Sequence, residues 1–117
     1  MNMMTNTKPV ALSLAEEDAL ALTQSALEIS RSNESKNEKR LAAALDRNLQ
    51  LWVGIRTMVS DASNPLPMAI KDNLIRLASF VAQKTFEMQG GSNIKTIDAL
   101  VNTNLQIAEG LLEKRGA

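Results

Sequence analysis

The side chains that carry most enzyme chemistry are missing from this sequence. It holds no histidine, no cysteine and no tyrosine. Histidine is the commonest general base and a common metal ligand. Thiolates supply nucleophiles, disulfides and soft metal sites. What remains is carboxylate pairs, serine–lysine pairs or a bound cofactor. No glycine-rich phosphate loop is present, and the adjacent glycines Gly90 and Gly91 have no strand before them. We therefore expect no catalytic residue, no metal site and no cofactor, and expect that the chain is not an enzyme.

Charge narrows the partners. Lys and Arg number 13, Asp and Glu number 13, and the formal net charge is zero. A nucleic-acid binder gains affinity from a surplus of cations over its phosphate contacts. The densest basic group, Lys36, Lys39, Arg40 and Arg47, is interleaved with Glu34, Glu38 and Asp46. A solvated helix face with intrahelical pairs explains it better than a phosphate footprint. No apolar run is long enough to span a membrane. Met1 to Lys8 hold no apolar core of a signal peptide. With no cysteine to staple a secreted domain, the cytoplasm is the expected compartment.

The elements follow from hydrophobic spacing. In a chain of 117 residues, 44% of them hydrophobic, one helical domain over 12–117 is expected, preceded by a flexible polar tail over 1–11 that carries Pro9. Ser13 to Glu16 fit a capping box, so helix one is expected from there to about Arg31. Its stripe of Ala15, Ala19, Leu22, Ala26 and Ile29 is rich in alanine. Ser32 to Ser35 read as a break. Helix two is expected to reach about Ser60, with Leu41, Leu45, Asn48, Trp52, Ile55 and Val59 on one face. Asn64-Pro65-Leu66-Pro67 ends it and launches helix three, expected over Met68 to Met88. Helix three is apolar over a wide arc, which predicts packing against more than one neighbour. Gly90-Gly91 stop it. Ser92 or Asn93 caps helix four, whose stripe is Ile97, Leu100, Val101, Asn104, Ile107, Ala108 and Leu111. The pattern is all-α: an antiparallel four-helix bundle with the first helix least firmly packed.

Some residues stand out on these faces. Trp52 reads as an interior anchor, burying roughly 200 Å²; the alternative is an interface hot spot. Asn48 and Asn104 lie on apolar stripes of different helices, where an unpaired amide would cost roughly 1–3 kcal/mol. We expect them to bond each other or main chain and so fix helix register; the alternative is a groove that binds a partner's backbone. Met58, Met68 and Met88 read as core filling rather than an adaptable surface. The alanines of helix one predict either a tight helix contact or a helix that detaches to expose a groove.

Taken together, the motifs resemble a known family. Leu45-x-x-Asn48-Leu49-x-Leu51-Trp52 is followed by Asn64-Pro65-Leu66-Pro67 and by Leu74-Ile75-x-Leu77-Ala78-x-Phe80-Val81. Last comes Ile97-Asp98-x-Leu100-Val101-x-x-Asn104-x-x-Ile107-Ala108-x-Gly110-Leu111. This order is similar to the FlaF family, the flagellar biosynthesis regulators of alphaproteobacteria, over about residues 41–112. Members often begin with a short aromatic segment; Met1 to Pro9 contain no aromatic residue. The resemblance implies a cytoplasmic factor that binds flagellin as a secretion chaperone, promotes its synthesis and export, and acts with the regulator FlbT. The alternative is a post-transcriptional regulator that contacts flagellin mRNA or the translation machinery, for which a basic stripe is lacking. For the partner surface we name Leu49, Val53, Arg56, Phe80, Lys84 and Leu112, at the margins of the core stripes, and assign Asn48, Trp52 and Asn104 to the architecture.

Overall fold

The computed structural model describes residues 14–91 and 93–116. Four helices follow in order: α1 (Leu14–Glu34), α2 (Glu38–Ser60), α3 (Met68–Glu87) and α4 (Ile94–Gly116). Among the described residues there is no strand. The helices pack on one another as a bundle, as the spacing predicts. The tail over 1–11, the proposed cap Ser13 and the alternative cap Ser92 lie outside the described residues. None of the described helices is long and apolar enough to cross a membrane.

Each turn has a local cause. α1 runs nearly one turn past its expected end at Arg31, through most of the expected break. Ser32 is buried inside it, its hydroxyl donating to Glu28 at 3.1 Å. Lys36 then takes φ 57°, the left-handed setting that ends a helix. Asn37 caps α2, its Oδ1 accepting from the Arg40 N–H at 3.0 Å. Two side-chain turns build the link to α3. Asp61 Oδ1 accepts from the Ser63 N–H at 2.9 Å, and Asn64 Oδ1 from the Leu66 N–H at 3.0 Å. A short 3-10 turn, Met88–Gly90, closes α3, and Gly91 at φ 134° redirects the chain. Asn93 caps α4 through the Lys95 N–H at 2.8 Å.

The centre of the bundle is polar and fully enclosed. Trp52 of α2 donates its indole N–H to Asn104 Oδ1 at 2.9 Å. Asn104 Nδ2 donates to Asn48 Oδ1 at 2.7 Å and to the Leu22 carbonyl of α1 at 3.1 Å. Ser25 of α1 adds a hydroxyl bond to Asn48 Oδ1 at 2.9 Å. Trp52, Asn48 and Asn104 are each 0% exposed. The two asparagines thus bond each other and main chain, tying α1, α2 and α4 together. The Asn48 amide nitrogen is the one buried side-chain polar atom without a partner among the described residues.

Two expectations need correction. The first helix is not the least firmly packed. α1 lies between α2 and α4 and touches α4 more extensively than any other pair touches. Ala19, Leu22, Ala26 and Ile29 are at most 2% exposed. The two alanines among them leave room for a close approach, and the Asn104 amide reaches the Leu22 main-chain carbonyl. Nor does α3 pack broadly on two neighbours. Its buried face is the narrow stripe Lys71, Leu74, Ala78, Val81 and Thr85, seated on α2, and it barely touches α4. The wide apolar arc is left half covered instead: Ile70, Ile75, Leu77 and Phe80 are only partly buried, and Phe86 is exposed.

The ion pairs also differ from expectation. Arg40 and Arg47 reach across to Glu28 of α1, at 3.0 and 3.8 Å, rather than pairing within α2. Hydrogen bonds from Arg40 and Ser32 hold the Glu28 carboxyl below its ordinary range. A carboxylate with a lowered folded-state pKa contributes stability above its unfolded pKa and loses it as pH falls through the folded value. Glu28→Gln should therefore flatten the acid side of the stability–pH curve below the ordinary glutamate pKa of about 4.3, measured by urea unfolding. In the central network, Trp52→Phe should lower stability by about 1–3 kcal/mol, because Asn104 Oδ1 is left buried and unpaired. Asn104→Ala should cost more, since it strands the Trp52 indole, leaves Asn48 Oδ1 with the Ser25 hydroxyl alone and opens a void at the centre.

Candidate functional site

Because α3 and α4 part company, the bundle is open on that side. A cavity of about 300 Å³ lies where the α2–α3 turn meets the ends of the helices. Ile55, Met58 and Val59 of α2 form one wall, Leu66 and Leu74 another, and Ile107 and Leu111 of α4 a third. Pro65 and Asn64 frame the turn, and Asp18 of α1 stands at the edge. The lining is overwhelmingly apolar. The turn holds its shape through the side-chain bonds of Asp61 and Asn64 described above. Lys71, buried on α3, anchors it from below, its ammonium 3.5 Å from the Asp61 carbonyl at the negative end of α2.

Asp18 is the charged group of this cavity. It is half-buried, and burial pushes its carboxyl above the ordinary range, with the neighbouring Glu17 carboxylate adding to the effect. Among the described residues no lysine or arginine pairs with it. The arrangement can grip apolar side chains and would welcome one cation at its rim. Among the described residues no group of three or more acidic side chains is placed to hold a metal ion.

None of the six residues named for a partner surface lines this cavity. Phe80 and Lys84 of α3 are together, the ammonium 5.7 Å from the ring centre. Leu49 lies in a shallow pocket between α2 and the end of α3, beside Thr85 and Met88. Val53 and Arg56 are exposed on α2, and Leu112 is exposed on α4. The methionines divide: Met88 is buried, Met58 lines the cavity and Met68 is exposed. Sequence reasoning passed over the cavity because its walls come from four helices and a turn. The one local signal was Leu66, an apolar residue between two prolines, half-buried where a plain solvent turn would leave it exposed.

The walls that face the opening carry less of the fold than the closed interior does. Leu100 is 0% exposed, whereas Ile107 is only partly buried against the core. Leu100→Ala should cost about 2–5 kcal/mol, in line with a filled core position. Ile107→Ala should cost clearly less, and the two denaturant midpoints measured side by side check the difference.

The family described as "Flagellar protein FlaF" matches residues 5–111 of the chain. No curated protein and no solved structure matches it.

Proposed function

We propose, because the chain belongs to the FlaF family of flagellar proteins, that it binds flagellin in the cytoplasm as a secretion chaperone, promotes flagellin synthesis and export, and acts with FlbT. The observation that carries the binding reading is the open seam beside α3, with its apolar cavity and half-covered flank. Amphipathic helices bind by laying an apolar face along such a groove, with one or two side chains as anchors. The terminal segments of flagellin are helical and amphipathic, and need cover before they assemble. In this reading an anchor side chain of the client enters between Leu74 and Ile107. Leu77 and Phe80 extend the apolar contact along α3, and Lys84 beside Phe80 supplies a polar margin.

The protein acts in this reading without catalysis, metal or cofactor. A flagellin mRNA is a poorer match to the surface. The formal net charge is zero, and Arg40 and Arg47, two of the four clustered cations, are already engaged by Glu28.

Calorimetric titration of the protein with the isolated terminal helices of flagellin tests the reading. Binding is expected at about tens of micromolar or tighter, and absence of heat at that concentration would overturn it. Leu74→Asp and Phe80→Ala should each weaken binding by at least about tenfold, equivalent to about 1.4 kcal/mol, while Val53→Ala should leave it unchanged. Circular dichroism of each variant checks that the helices persist.

A further inference from the structure

The cavity stands where the chain enters the fold. α1 begins at Leu14, and Asp18, one helical turn further on, is already part of the cavity edge. The 13 residues ahead of Leu14 are therefore tethered next to an apolar opening. Six residues of extended chain reach about 20 Å, so everything from Lys8 to Ser13 can return to the cavity without strain on α1.

The sequence of that segment matches what the cavity lacks. Val10 and Leu12 are branched apolar residues, and Pro9 favours an extended approach. Lys8 is the one charged side chain before Glu16. A half-buried carboxylate among apolar walls, with no cation paired to it among the described residues, is the setting that a tethered lysine relieves. At about 300 Å³ the cavity is at the small end for ligand sites, suited to a few side chains of an extended strand and not to a whole helix. The family match begins at residue 5, so the family pattern reaches well ahead of α1.

We propose that the chain's own N-terminal segment docks in this cavity, with Val10 and Leu12 between Leu66, Leu74 and Ile107 and with Lys8 paired to Asp18. The docking belongs to the free protein and needs no client; a client anchor that enters between Leu74 and Ile107 displaces it. Tethering makes it an intramolecular event at high effective concentration, so a modest contact suffices.

The absence of cysteine makes the test clean. A paramagnetic label is placed on Thr5→Cys in the full-length protein, away from the docking residues, and methyl signals are followed by NMR. Leu66, Leu74 and Ile107 should lose intensity selectively, while Leu41 at the far end of α2 keeps it. Asp18→Lys should restore the lost intensity, and Lys8→Asp combined with Asp18→Lys should remove it again. Leu12→Asp reads the apolar half of the contact independently, and should also restore intensity. Equal intensity across all these methyls in the labelled parent protein overturns the proposal. So does the same loss in an equimolar mixture of labelled and isotope-enriched chains, which would place a second copy in the cavity.

Discussion

One buried amide governs the arrangement of this protein. Asn104 of α4 sits where α1, α2 and α4 converge, and it bonds to both of the other helices: the Trp52 indole and Asn48 amide of α2, and the Leu22 carbonyl of α1. Apolar packing is tolerant of small slides along a helix axis. A buried amide is not, because a slide of one residue leaves donors and acceptors without partners in a place that water does not reach. The network thus sets the heights of three helices relative to one another. Everything at the ends of those helices, including the cavity edge at Asp18 and the walls at Val59 and Leu111, takes its position from that register.

The fourth helix is held on different terms. α3 has no member in the network. It rests on α2 through a narrow stripe, and its start is fixed by the Asp61–Pro67 turn and by Lys71. Polar specificity is therefore concentrated in three helices, and apolar, less register-bound contact in the remaining one. That division explains why the opening is beside α3. A helix that is secured on one side only leaves its other flank half covered, and in this protein the flank carries Ile70, Leu77 and Phe80.

The interior was legible in the sequence wherever a residue broke the pattern of its own helix. Asn48 and Asn104 announced themselves as amides on apolar stripes, and Trp52 by its place among leucines and isoleucines. The packing of α1 is only half legible: its alanines allow either a tight contact or a detachable helix, and only the approach of α4 decides for the contact. Lys71 was invisible for another reason. A charge at a core position looks like an error until its partner is seen to be a main-chain carbonyl, which no side-chain pattern encodes. Beyond the apolar Leu66 between its prolines, the cavity leaves no trace in the sequence, since its walls are Ile55, Leu66, Leu74 and Ile107, positions far apart in the chain and brought together by the packing of four helices.

The enclosed Trp52 has a practical side. It is the only tryptophan, its indole is hydrogen-bonded, and Ile55, one turn along the same helix, is part of the cavity wall. The protein therefore carries a single tryptophan fluorophore at the junction of three helices, close to the apolar cavity. Emission from that ring is a label-free optical gauge of whether the junction stays shut while the nearby surface is occupied or vacated. It separates a binding event that leaves the frame intact from one that pries the helices apart.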